Sequence, residues 1–168
     1  MPLRSDWSQR SCSMARGLDI LGDPWSILVL REVFFGNGRF DAMKSRLEVA
    51  DSVLTKRLAG LVESGLLAKK AYDDGGRTRQ EYVLTPKGED ALPVLNAVTI
   101  WAEKHLPAPS DQAHLYVIHT GCGEPTTSAD TCTRCGERLT AANTSWHSRS
   151  RSEQPIPLST AAREGTAA

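Results

Sequence analysis

The chain has 168 residues, with 20 Lys+Arg balanced by 20 Asp+Glu and an apolar fraction of 40%. That is one ordinary domain with something small beside it, and enough apolar side chains for a real core. The longest aliphatic run, residues 27–30, stops at Arg31, which excludes a transmembrane helix. Residues 1–37 hold no apolar stretch of the length a secretory signal needs, so the expected location is cytoplasmic. In that compartment the four cysteines read as metal ligands or redox thiols rather than a disulfide framework. The zero net charge hides an asymmetry: residues 36–88 carry ten basic and seven acidic side chains, a net of +3. That excess is too mild to establish nucleic-acid binding, so the placement of the charges has to decide.

Composition separates three zones. Residues 1–107 alternate helical and short strand patterns. Residues 108–140 hold three cysteines and two histidines but few large apolar side chains. Residues 141–168 are rich in Ser, Thr, Ala and Arg, the composition of a disordered tail.

In chain order, Ser11 is placed to cap a helix with apolar positions Met14, Ala15, Leu18 and Leu21, ended by Gly22. Asp23-Pro24 is a helix start, with Asp as cap and Pro at the first helical position. The following helix, residues 25–35, is apolar nearly all round and so is expected to be buried. After the turn Gly36-Asn37-Gly38, Arg39-Phe40 is expected to add a very short strand and Asp41 to cap a short helix with Met43 and Leu47. Asp51 is expected to cap the next helix, which ends at Gly65. Its apolar stripe, Leu54, Leu58, Leu61 and Val62, falls within about 100° on a helical wheel. Ser52, Lys56, Ala59, Gly60 and Glu63 lie opposite, a face small in the middle and suited to close approach.

Residues 66–72 then read as a strand, Asp73-Asp74-Gly75-Gly76 as a turn and residues 81–85 as the returning strand, with Arg77 and Arg79 on the loop between them. Thr85-Pro86 starts another helix by the logic of Asp23-Pro24, and Pro93 kinks or restarts it. Beyond it, Leu95, Val98, Thr99, Ala102 and Leu106 trace an amphipathic helix with Trp101 at its edge.

Four helices, a hairpin with a basic loop and a further helix make the layout of a winged helix-turn-helix. The expected fold is mainly α with a small β-hairpin wing, plus a small Cys-rich, zinc-ribbon-like C-terminal segment. In this layout a recognition helix enters the major groove by its N-terminal residues, and wing arginines reach phosphates or a minor groove. Ser52, Val53, Thr55 and Lys56 then face double-stranded DNA, with Arg39, Arg77 and Arg79 beside them. Arg57 lies about 60° from the stripe centre at Leu54, so DNA contact and a partly buried ion pair are both open to it.

At this point a resemblance is plain. Cys12-Ser13-Met14, Leu18-Asp19-Ile20-Leu21-Gly22-Asp23-Pro24-Trp25, Leu30-Arg31-Glu32 and Gly38-Arg39-Phe40 resemble the opening of the HxlR-type family of MarR-like bacterial transcription regulators. Val53-Leu54-Thr55-Lys56-Arg57-Leu58 and Glu63-Ser64-Gly65-Leu66-Leu67 resemble its recognition helix and turn. Tyr82-Val83-Leu84-Thr85-Pro86-Lys87-Gly88 resembles the strand leaving its wing. The match runs from residue 12 to about 106. The resemblance implies a homodimer paired through its terminal helices that controls a nearby operon; its effector is left open, a small molecule or an oxidant.

His119-x-x-Cys122 followed by Cys132-x-x-Cys135 offers four ligands, and Gly123 and Gly136 follow two of the cysteines, where tight turns point amides at sulfur. This is the pattern of a closed structural zinc site; His114 and His147 are the other candidates for the histidine. Cys132 and Cys135 as a zinc-free redox pair is the alternative. Cys12 opens the first helix, where the positive end of the dipole favours a thiolate. Some HxlR-type regulators use a cysteine at the matching position to sense oxidants, which makes Cys12 a candidate redox sensor. Nothing points to an enzyme: there is no His-Glu-x-x-His, phosphate loop or Gly-x-Ser-x-Gly elbow. The leading expectation is therefore a repressor acting on a near-palindromic operator near its own gene. The competing class is a protein-interaction module or redox-active adaptor.

Overall fold

The computed structural model describes residues 6–160. They form two compact units. The first comprises the described residues up to Val33 together with Asn37–Val83, and the second comprises Phe34–Gly36 with the described residues from Leu84 onward.

The first unit is built from α1 (Ser13–Leu21), α2 (Pro24–Phe34), α3 (Phe40–Leu47), α4 (Asp51–Glu63), β1 (Leu67–Asp73) and β2 (Thr78–Leu84), the last residues of α2 and β2 falling in the second unit. Asp23 starts α2 as expected: its Oδ1 accepts the Trp25 N–H at 3.0 Å. Val29, Leu30 and Val33 of α2, Met43 and Leu47 of α3, and Leu54, Leu58 and Leu61 of α4 are buried. Gly65, at φ 75°, takes the left-handed position that ends α4, and Leu66 N–H closes onto Leu61 O at 2.9 Å.

Several local expectations are corrected. The N-caps of α1, α3 and α4 are Cys12, Arg39 and Ala50, none of them with a side-chain cap bond. Asp41 and Asp51 lie inside the first turn of their helices instead, where a negative charge still meets the positive helix end. Arg39-Phe40 forms no strand. The hairpin reaches this segment through a backbone bond instead, Tyr82 N–H to Gly38 O at 2.8 Å, before α3 begins. β2 starts at Thr78 rather than at residue 81, so Arg79 stands on the strand and only Arg77 in the turn. The reason is the tight turn: Gly75 and Gly76 both have positive φ, 63° and 86°, and Asp74 and Arg77 exchange backbone bonds.

The second unit contains α5 (Pro86–Glu89), α6 (Leu92–His105), β3 (Tyr116–His119), β4 (Glu124–Pro125), a 3-10 turn (Ala141–Asn143), β5 (Thr144–His147) and β6 (Ile156–Pro157). Thr85 caps α5, its hydroxyl accepting Gly88 N–H at 3.1 Å, and Pro93 lies in the first turn of a restarted helix. The strands make one four-stranded sheet in the order β4-β3-β5-β6, with all three pairings antiparallel. The disordered tail expected from residue 141 is therefore corrected for residues 141–160; residues 161–168 lie outside the described residues. Trp146 is the reason this stretch folds. It is 1% exposed, and its ring packs 5.6 Å from that of Phe34 and 5.2 Å from that of Phe35. Val117, Ile118, Leu139 and Leu158 complete a core that composition alone does not announce.

The stripe expected on α6 is also corrected. Leu92, Leu95 and Asn96 are buried, whereas Val94, Val98, Trp101 and Leu106 are exposed. On α1 no residue is buried, and Met14 and Leu18 are 75% and 49% exposed.

Candidate nucleic-acid interface and metal cluster

α4 presents Ser52, Thr55 and Lys56 outward and exposed, with Val53 half-buried beside them. The burial of Leu54, Leu58 and Leu61 fixes which way the helix is turned. Arg57 takes the ion-pair role: its Nη2 is 2.6 Å from Asp23 Oδ2, and its side chain is 19% exposed. Its Nε is buried without a hydrogen-bond partner among the described residues. Lys44 is likewise paired, with Asp51 at 2.7 Å.

At the hairpin, Arg79 Nε is 2.8 Å from Asp74 and its Nη1 is 3.8 Å from Asp41. Arg39 lies over the ring of Tyr72, 4.3 Å from its centroid, an arrangement that orients a guanidinium without neutralising it. Arg77 is exposed at the tip. Among the described residues, Lys56, Arg77 and Arg39 are thus the expected DNA-facing cations whose charge no acid offsets, while Arg79 shares its charge with two aspartates.

In the second unit, His119, Cys122, Cys132 and Cys135 converge, their ligand atoms all within 4.8 Å of one another. His119 Nδ1 is 3.4 Å from Cys122 Sγ and 3.5 Å from Cys135 Sγ, and the Cys122 and Cys132 sulfurs are 3.9 Å apart. His119 stands at the end of β3. The chain then turns back on it: Gly123, at φ 71°, donates to His119 O at 2.8 Å. Gly136, at φ 77°, donates to Cys132 O at 2.9 Å in the matching turn. Backbone N–H donors of Cys135 and Arg134 hold the Cys132 thiol down to about 7 against its desolvation. The hydrogen bond with Cys135, together with desolvation, pushes Cys122 up to about 11. The other histidine candidates stand apart from the cluster. His114 Nδ1 is 2.6 Å from Glu103 Oε2, and His147 Nε2 is buried with no partner among the described residues.

The sequence reading missed Glu137, whose carboxylate lies 3.3 Å from His119 Nε2. With Nδ1 facing sulfur, the other ring nitrogen is left to donate to this acid, the outer-sphere arrangement that orients a metal-binding imidazole. Its only signal was an acid directly after Cys135-Gly136. Asp23 as the partner of Arg57 was likewise missed, because its cap role accounts for it fully at the sequence level.

Cys12 is exposed at the N-cap of α1. Arg16 folds back over this helix start, donating to Arg10 O at 2.6 Å and Ser11 O at 3.0 Å. No helix among the described residues is long and apolar enough to cross a membrane.

Comparison with known proteins agrees with this geometry. Residues 20–110 match the model of the HxlR-like helix-turn-helix family. The uncharacterized HTH-type transcriptional regulator Rv3095 of Mycobacterium tuberculosis is 36% identical over 131 residues, 78% of this chain and 82% of that protein. Among solved structures, PA1607, described as a candidate transcription factor, is similar with a TM-score of 0.67 and 35% identity, over 80% of this chain and 93% of that one. PA1374 from Pseudomonas aeruginosa, described in the same terms, is similar with a TM-score of 0.50 and 34% identity, over 76% and 86% of the two chains. The fold, the family match and these relatives agree: the chain belongs to the HxlR-like helix-turn-helix family, whose matched members are transcriptional regulators and not enzymes.

Proposed function

We propose that the protein is a cytoplasmic, homodimeric repressor that binds a near-palindromic operator in double-stranded DNA close to its own gene. The observation that carries this reading is the outward face of α4, with Ser52, Thr55 and Lys56 exposed and Lys56 unneutralised. In this role Ser52, Val53 and Thr55 meet base edges, while Lys56, Arg77, Arg79 and Arg39 take phosphates or a minor groove. Arg57, held by Asp23, serves to fix α4. The exposed apolar side chains of α1 and α6 are surfaces for a second copy. A symmetric dimer sets its recognition helices about 34 Å apart, one turn of DNA, and a bound dimer occludes polymerase. The test is footprinting on the DNA flanking the gene. A protected tract with two-fold symmetry is expected, and protection no different from random DNA at physiological salt would refute the reading.

The Cys/His cluster we assign to structural zinc. Zn–S bonds near 2.3 Å and Zn–N bonds near 2.0 Å place tetrahedral ligand atoms roughly 3.5–3.8 Å apart, close to the separations of 3.4, 3.5 and 3.9 Å here. Four converging ligands exceed what a dithiol redox pair needs. Cys12, exposed at a helix start, is the thiol through which an oxidant would act.

A further inference from the structure

We infer that metal occupancy of the cluster is coupled to helix α6 through Asn96, so that the loaded site and α6 order together. The inference rests on the metal reading above and adds a route by which the metal is felt elsewhere.

Asn96 is fully buried, on the same face of α6 as Leu92 and Leu95. A buried amide needs both its ends satisfied, and here each end is used on a different arm of the cluster. Nδ2 donates to Ala129 O at 2.9 Å, and Oδ1 accepts the Trp146 indole N–H at 2.9 Å. Ala129 opens the loop arm. Asp130 O accepts Leu139 N–H, Thr131 pairs with Arg138, and Cys132 N–H donates to Glu137 O, which leads into the Cys132–Cys135 turn. Trp146 belongs to the sheet arm. It pairs with Val117 on β3, whose last residue is the ligand His119, with Cys122 in the turn beyond.

The two arms meet at a joint between these ends. Thr126 N–H donates to Val117 O at 2.8 Å on the sheet arm. Its hydroxyl donates to Thr131 O and accepts Thr133 N–H, both at 3.2 Å, on the loop arm. A metal closes the clamp on one side of this joint and Asn96 closes it on the other. Each closure removes freedom that the other would otherwise have to remove, so the two are linked reciprocally. Asn96 is thus a positioning residue for the metal site. Because α6 carries Val94, Val98 and Trp101 exposed, its order is also the order of the surface offered to a second copy.

The test uses the full chain, with zinc affinity measured by competition against a chromophoric chelator. Asn96→Asp keeps the acceptor for Trp146 but loses the donor to Ala129. Trp146→Phe keeps a ring but loses the indole N–H. A net hydrogen bond corresponds to roughly 2- to 10-fold in an equilibrium, and a carboxylate facing a carbonyl costs more. Zinc affinity is expected to fall about 10-fold or more in Asn96→Asp and about 2- to 10-fold in Trp146→Phe. The cobalt(II) absorption spectrum should stay unchanged, because the ligands are the same. In wild type, chelation should also raise hydrogen exchange at the Trp146 indole and the α6 amides; in Asn96→Asp the α6 amides should exchange alike with and without metal. Two folded variants binding zinc within twofold of wild type, or wild-type α6 exchange indifferent to metal, would overturn the coupling alone. Wild type purified without stoichiometric zinc would overturn the metal reading and the coupling with it.

Discussion

Arg57 and Asp23 form an ion pair 2.6 Å apart, joining the middle of α4 to the residue that caps α2. Arg57 stands one position from Lys56, yet the two have opposite fates: Lys56 is exposed and Arg57 is turned inward. Asp23→Ala removes both the pair and the cap. A lost cap costs about 1 kcal/mol, and a partly exposed pair adds less than the 3–5 kcal/mol of a fully buried one. The expected loss is about 2–3 kcal/mol in chemical denaturation. Arg57→Met should cost less, because its aliphatic stem still packs.

Gly38 is buried where the chain passes under the hairpin. A Cβ there would sit 2.3 Å from Tyr82 O, the strand whose N–H bonds Gly38 O. Gly38→Ala must therefore push the hairpin away from α3. Overpacking of this kind costs about 1–3 kcal/mol, so a melting temperature several degrees below wild type is expected, with operator affinity reduced because the wing moves.

The exposed residues Val98 and Trp101 test the dimer. Trp101→Asp with Val98→Asp should convert the protein to monomer in sedimentation velocity at micromolar concentration while its far-UV circular dichroism is unchanged. A dimer that persists would move the interface off α6.

For Cys12, wild type and Cys12→Ser are to be treated with a mild peroxide while operator binding and zinc content are followed together. Loss of binding by wild type alone, with zinc retained, is the expected result. Equal loss in both proteins, accompanied by zinc release, would assign the response to Cys122, Cys132 and Cys135.

Much of the first unit, and the start of the second, was legible because the signals there are local. Asp23-Pro24, Thr85-Pro86, Gly65 and Gly75-Gly76 each fix the backbone by their own geometry, and each stands where the sequence places it. The Cys/His spacing was legible for the same reason: each of two short turns brings one pair of ligands together by its own backbone geometry. The fold of residues 141–160 was not legible, because its core is assembled from distant residues. Trp146 meets Phe34, Phe35 and Asn96, and no window around Ser145 contains those partners. Asn96 itself reads as a polar interruption of an apolar helix until Ala129 and Trp146 stand beside it. Arg79 was misplaced for a smaller reason: a two-glycine turn needs fewer residues than the loop allowed for it, so the strand begins earlier.

The most direct test of α4 and the wing as the DNA surface is the salt dependence of operator affinity in Lys56→Ala, Arg77→Ala and the double variant. Each cation that contacts a phosphate contributes about one unit to the slope of log affinity against log salt. Each single variant should flatten the slope by about one, and the double variant by about two, while weakening binding to operator and random DNA alike. An unchanged slope and unchanged affinity in the double variant would show that DNA, if bound, lies against another face.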